Sequence, residues 1–270
     1  MSIITISRGS ASGGTMLAEA LAERLGYAIV SREDIAHKAA AYGVDETELQ
    51  KAAFKAPGLW DRFSLARRRY LAFFQAALCE SVAADSIVFH GVAGHLFLPD
   101  ISHVLSVRLI APKAFRVDML HDREGMTREN AEEYIERMDS EREQWAQLIF
   151  GVQRLDPNLY DLVVNIRTLG IDAAASTVMA AVGSGRFQPT PESQRALADL
   201  TLASRVRAAL AADEHTAAAE VRVHAEGGRV TLRGRVRPAS LVEAILEIVG
   251  QVKGVVEIDR ENLDAPELMV

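Results

Sequence analysis

Residues 3–6 of the chain, Ile-Ile-Thr-Ile, are β-branched and apolar, and a run of small residues follows: Gly9, Ser10, Ala11, Ser12, Gly13 and Gly14. Met16, Leu17, Ala20, Leu21 and Leu25 then recur at helical spacing and stop at Gly26, which reads as a C-cap. Residues 27–30 form a second short strand. A buried strand, a small-residue loop, a helix and another strand, in that order, open a parallel α/β sheet.

The pattern continues in the same sense. Residues 32–42 and 45–54 read as helices, and Lys55-Ala56-Pro57-Gly58 breaks the pattern. A long helix is expected from about Trp60 to Ala84, with Arg67-Arg68-Arg69 on a solvated face. Strands are expected at 86–90, 104–110 and 162–166. Residues 115–150 are charged and helical with a break near Gly125, after which Thr127 caps the next helix with Asn130 three residues on. The last helix of this part covers 171–182 and starts at or just before Asp172. Small residues and prolines without periodicity at 183–192 then mark a linker. Beyond it come a helix (193–212), strands at 220–224 and 229–236 joined by a Gly227-Gly228 hairpin turn, a helix (239–249) and a strand (255–259). The expected domains are 1–182 and 193–270, the second with the order α-β-β-α-β.

Composition narrows the possibilities. The net charge of −7 over 270 residues gives no reason to expect non-specific nucleic-acid binding. The single cysteine, Cys79, excludes an internal disulfide and sits in an apolar helical pattern as a core residue. The first residues have neither the basic start nor the apolar run of a signal peptide, and no apolar run reaches ~18 residues. The expectation is a cytoplasmic protein with no transmembrane segment. His90, His95 and His103 do not share metal-ligand spacing on one element, so they read as structural and no metal site is expected.

The loop carries the chemistry. A strand, a loop of small residues and a helix N-terminus form an anion site, with inward backbone N–H groups and a partial positive charge. Gly9 and Gly14 have the GxxxxG spacing of a phosphate loop, yet Thr15 and Met16 follow where lysine and a hydroxyl residue would complete it. A Gly/Ser turn before a helix can also be only a turn. Arg8, directly before the loop, is either the charge the loop lacks or a surface residue at a strand end.

The segments Ile4-Thr5-Ile6-Ser7-Arg8, Ser12-Gly13-Gly14, Leu25-Gly26 and Arg32-Glu33 resemble the start of the cytidylate kinase-like family. Val88-Phe89-His90-Gly91, the strand ending in Ala111-Pro112 with Arg116 after it, Asp139-Ser140-Glu141-Arg142, residues 156–161 and Gly170-Ile171-Asp172 continue the resemblance in order. It implies a P-loop nucleoside-monophosphate-kinase fold: a parallel sheet flanked by helices, a mobile lid and an acceptor-binding helical region. It also implies a nucleotide partner, Mg2+ with ATP as cofactor, and a set of roles. Arg8, Ser10, Ala11, Ser12, Gly13, Gly14 and Thr15 would bind nucleotide, Arg32 the acceptor, and Arg116, Arg142 and Asp139 would be catalytic. Arg123, Arg128 and Arg137 interleave with glutamates and read as surface. The sequence departs from the family at Thr15 and Val92, where arginines are usual, and at Ser31, where aspartate is. Two readings follow: a kinase transferring phosphate from ATP to a nucleoside monophosphate such as CMP, or a catalytically degenerate nucleotide sensor or scaffold.

From about 197 to 263 the chain resembles a BON domain, on Val221-Arg222-Val223, the run from Gly228 to Val236, and residues 252–258. Such a domain is a small α+β module without catalysis. In its second strand Val230, Leu232 and Val236 alternate with Arg229, Arg233, Arg235 and Arg237. That arginine face is either a site for an acidic lipid or protein partner or the wet face of a sheet covered on its other side.

Overall fold

The structure, a computed structural model, describes residues 2–42, 65–91 and 93–264. The helix expected over 45–54, the break at 55–58, the first residues of the long helix from Trp60, and the Val92 position lie outside the described residues. By its contacts the chain forms two compact units.

The first unit is built on a five-stranded sheet in the order β2-β3-β1-β4-β5, with every pairing parallel. The strands are β1 (Ile3–Arg8), β2 (Ala28–Ser31), β3 (Ile87–Gly91), β4 (Val104–Ile110) and β5 (Leu162–Asn165). β1 lies between β3 and β4, which explains why it is apolar on both faces: Ile3, Ile4 and Ile6 are buried, and so are Thr5 and Ser7. Helix α1 (Gly14–Leu25) buries Leu17, Ala18, Leu21 and Ala22, one stripe of a helical period, in a core with Ile4, Val107, Leu109, Val164 and Val178. Gly26 ends it as expected, at φ 68°, its N–H donating to the Ala22 carbonyl. Helix α2 (Arg32–Ala40) follows β2. The charged region is two helices, α4 (Lys113–Glu124) and α5 (Arg128–Phe150), and the expected Thr127 cap accepts from the Asn130 N–H. The last helix of the sequence reading starts earlier than expected. Asn165 caps a turn at Ile166, and Gly170, at φ 70° and ψ 173°, kinks α6 (Ile166–Gly183) before its long second part.

In the second unit, α3 (Leu65–Val82) packs along α7 (Pro191–Ala212). Arg205 Nε bonds Glu80 at 2.5 Å, Arg207 Nη2 donates to Gln75 at 3.2 Å, and Ser204 Oγ reaches Cys79 Sγ at 3.5 Å. Cys79 is fully buried, as the sequence implies, and burial raises its thiol pKa to about 11. The solvated face expected for Arg67-Arg68-Arg69 is corrected here. Arg67 is buried, Arg69 donates to the Ala212 carbonyl at the end of α7, and Arg68 donates to the Ala219 carbonyl at 2.7 Å. Guanidinium groups thus satisfy carbonyls at and beyond a helix C-terminus, which α7 cannot satisfy itself.

The remaining elements are β6 (Arg222–Glu226), β7 (Arg229–Arg235), α8 (Ala239–Gln251) and β8 (Glu257–Asp264). The sheet order is β6-β7-β8, antiparallel on one side of β7 and parallel on the other. Val230, Leu232 and Val236 are buried with Val206, Val223, Ile245 and Val249, while Arg229, Arg233, Arg235 and Arg237 are exposed. The hairpin turn places Gly227 at φ 58° and Gly228 at φ 90°, the positive values a two-residue turn between right-twisted strands requires. A Cβ on Gly228 would lie 2.9 Å from Val256 Cγ2 and 3.3 Å from the Gly254 carbonyl, whereas nothing lies within 4 Å of one on Gly227. Gly228→Ala is therefore expected to destabilise this sheet by about 1–2 kcal/mol or more. Gly227→Asn should be close to neutral, since asparagine tolerates the left-handed region. Amide exchange in β6 and β7 measures both.

Candidate functional site

At the carboxyl end of β1 the chain turns through residues 9–13 into α1. Ala11 (φ 54°) and Gly13 (φ 74°) take left-handed conformations, and Ser12 Oγ donates to the Gly9 carbonyl at 2.9 Å. Gly13 is the N-cap and offers no side chain, and the first turn of α1 has no acidic residue. No side chain of the helix start therefore claims the positive end of α1. Gly13 needs glycine for its positive φ and because a Cβ there would come 3.0 Å from Ile166 Cδ1, while a Cβ on Gly9 would come 3.0 Å from the mobile end of Arg116, at Nη1.

Ser10 is where the predicted catalytic residues meet. Asp139 Oδ1 on α5 accepts from the Ser10 N–H at 3.3 Å, and its Oδ2 accepts from Arg116 Nη1 on α4 at 2.6 Å. The same Arg116 nitrogen donates to the Ser10 carbonyl at 3.3 Å, and Arg142 Nη1 donates to Ser10 Oγ at 2.9 Å. The Nε atoms of Arg8, Arg116 and Arg142 are buried without a hydrogen-bond partner. A cavity of about 460 Å3 opens between the loop and helices α4 and α5, lined by Arg8, Ser10, Gly14, Thr15 and Arg142 among others. Arg123, expected on the surface, is exposed but stands at the rim of this cavity. Arg128 pairs with Asp118, and Arg137 lies over the Tyr134 ring.

The electrostatics are those of crowded cations. Burial, together with the charges of Arg8, Arg154 and Arg32 and against the pull of Asp139, lowers the pKa of Arg142 to about 10. Burial also lowers that of Arg8, with Glu33 opposing and Arg32 adding to the shift. Arg32 is buried at the first turn of α2. Ser31, at the family's aspartate position, caps that helix. Its Oγ accepts from the Asp34 N–H at 3.0 Å, and its own N–H donates to Asp34 Oδ2 at 2.8 Å. Thr15 is exposed on the first turn of α1.

The sequence reading missed a second, buried polar layer. Arg108 on β4 donates to Ser7 Oγ at 3.3 Å and lies over the Tyr160 ring. Tyr160 donates to the Arg154 carbonyl at 2.9 Å, and the Arg154 N–H donates to Glu143 at 3.0 Å. A cation inside the apolar run Val107-Arg108-Leu109 was the one local signal, and Arg154 left none. His95 packs against Tyr160 with ring centres 4.7 Å apart and planes tilted by 52°, and His103 faces Asp85 at 3.2 Å. Among the described residues no group of three His, Cys, Asp or Glu side chains is placed to hold a metal ion, and no helix is long and apolar enough to cross a membrane.

A five-stranded parallel sheet in this order, with a glycine-rich loop running from its central strand into a helix, defines a P-loop kinase-type α/β domain. Residues 3–168 match the model of the cytidylate kinase-like family, and the chain belongs to that family. Residues 198–264 match a BON domain. A cytidylate kinase of Methanopyrus kandleri is 31% identical over 182 residues, which cover 67% of this chain and 92% of that protein. One from Ignicoccus hospitalis is 27% identical over 181 residues, covering 66% of this chain and 97% of that protein. The fold is shared with the crystal structure of an uncharacterized protein from Eubacterium ventriosum ATCC 27560, at a TM-score of 0.54 and 20% identity over 68% of this chain and 99% of that one.

Burial and the nearby Arg108 charge lower the His95 pKa to about 4. An unfolded histidine titrates near 6.5, so between these values the unfolded chain binds a proton that the folded chain refuses. Stability is therefore expected to be unaffected by His95 above about pH 7 and to fall as pH drops from about 6.5 toward 4, by up to about 3 kcal/mol. His95→Gln should flatten part of that slope, leaving the part due to His90 and His103, whose pKa values burial also lowers. Urea midpoints followed by tryptophan fluorescence across this pH range measure it.

Proposed function

We propose that this chain binds a nucleotide at the β1–α1 loop and transfers the terminal phosphoryl group of ATP to a nucleoside monophosphate such as CMP, in the cytoplasm. The observation that carries this reading is the meeting of Arg116, Arg142 and Asp139 at Ser10, beside an uncapped helix N-terminus. The buried, unpaired Nε atoms of three arginines fit an anionic group such as a polyphosphate. Mg2+ arriving with ATP would be held mainly by phosphate oxygens and water and would neutralise charge on the outer phosphates, with Thr15 or Ser12 as the hydroxyl the loop could offer it.

The chain's own residues divide the remaining work. Backbone N–H groups of residues 11–15 surround the phosphates, with Ser12 bonding Gly9 to hold the turn. Arg32 holds the acceptor phosphate, whose oxygen attacks the terminal phosphorus while ADP leaves. That oxygen is already anionic, so no strong base is required. Arg116 and Arg142 stabilise charge on the transferring group, and Asp139 fixes Arg116 and the Ser10 amide in place. In this reading the exposed face of β7 and the residues just after it serve an acidic lipid or protein partner through Arg233, Arg235 and Arg237, since Arg229 is already paired with Asp259 at 3.1 Å.

Titrating ATP–Mg and CMP calorimetrically, then assaying transfer to CMP, tests the proposal. Binding with turnover is expected, and Arg142→Ala should lower kcat about 100- to 1000-fold, as loss of one charge-stabilising donor does. Binding without turnover would favour a nucleotide sensor, a reading that the missing loop lysine supports. No binding of either would remove both.

A further inference from the structure

We infer that Arg8 is the cation that grips the outer phosphates of the bound nucleotide, in the role a lysine after Gly14 would fill; this rests on the nucleotide reading above. Arg8 is the last residue of β1, and its side chain folds back over the first residue of α1. A Cβ built on Gly14 would lie 2.0 Å from Arg8 Cδ and 3.0 Å from both Cγ and Nε. The arginine stem therefore rests on bare glycine, which only a residue without a side chain permits. This contact brings a guanidinium group to the positive end of α1, so two like charges share one place.

Glu33 draws on this charge without pairing with it. Among the described residues Arg8 makes no hydrogen bond or ion pair, and its Nε is buried without a partner. Glu33 exerts the strongest attraction on it, while Arg32 adds repulsion. Arg116 and Arg142, by contrast, are already engaged with Asp139 and Ser10. Thr15, at the position where a lysine or arginine would project, lines the same cavity as Arg8 but brings no cation to it. An unpaired, half-buried guanidinium beside a helix N-terminus is relieved when an anion takes up both sets of donors. The ligand class is a polyphosphate, and the interaction should grow with the number of phosphates.

A double-mutant cycle on the full chain reads this directly, with ATP–Mg, ADP and AMP as titrants and thermal melts as folding controls. Arg8→Ala is expected to weaken ATP binding about 10- to 100-fold, the range of a lost charge-assisted contact, with a smaller loss for ADP and the least for AMP. Arg8→Lys should recover part of the loss. Gly14→Ala forces Arg8 aside and should weaken ATP binding to a similar degree, yet add little in the Arg8→Ala background. Unchanged ATP affinity in folded Arg8→Ala, or equal losses for ATP and AMP, would overturn the assignment. Additive losses for Gly14→Ala and Arg8→Ala would show that Gly14 does not act through Arg8 and would overturn the geometry behind it. Should Arg8→Ala fail to fold, Arg8→Lys and Gly14→Ala still decide between these outcomes. A wild-type chain that binds no nucleotide would instead remove the underlying reading, and this inference with it.

Discussion

The Asp139 carboxylate joins three things that would otherwise repel or drift: the Ser10 amide of the loop, the Arg116 guanidinium of α4, and helix α5 on which it sits. Each carboxylate oxygen takes one partner. Without this negative charge, Arg8, Arg32, Arg116 and Arg142 would crowd the start of α1 with less to offset their repulsion. The cost of burying such cations is met elsewhere, by a sheet whose central strand is buried on both faces and does not yield. The site is thus a rigid apolar platform carrying an excess of positive charge, held ready by one acid.

Behind that layer, Arg108, Tyr160, Arg154 and Glu143 form a chain of contacts that leads from β4 back to α5. Glu143 lies one residue beyond Arg142 and four beyond Asp139 on the same helix. The carboxylate that positions the Arg154 backbone therefore also restrains the helix carrying the residues that face the loop. Desolvation lowers the pKa values of both Arg142 and Arg154, with the Arg154 charge adding to the shift of Arg142 and the Arg108 charge to that of Arg154, so charge is felt from one layer to the next.

What could be read from the sequence divides along physical lines. The β1–loop–α1 opening, the Gly26 stop and the Thr127 cap depend on residues within a few positions of one another, and the structure reproduces them. Arg116, Asp139 and Arg142 lie on two helices far from the loop in sequence, so spacing alone could not join them to Ser10; only the family resemblance pointed there. Arg67-Arg68-Arg69 failed for the opposite reason. Three adjacent arginines look like a solvated surface, but carbonyls at and beyond the end of α7, more than a hundred residues later, take up the charge of Arg68 and Arg69. Local polarity says that such residues need partners. It does not say whether water or protein supplies them.

The departures from the family pattern have the same logic. Aspartate is usual at position 31, and serine stands there, yet Ser31 and Asp34 exchange hydrogen bonds in a reciprocal cap that fixes the start of α2. The residue this secures is Arg32, the next in the chain. Its burial at a helix start requires a backbone that does not fray. An arginine is usual at position 15, and threonine stands there, yet the neighbouring Gly14 leaves room for Arg8 to approach from the strand side. Both changes remove a charged side chain at one position and leave its physical task within reach of a neighbour. Reading a missing residue as a missing function requires asking first which atoms now occupy its place.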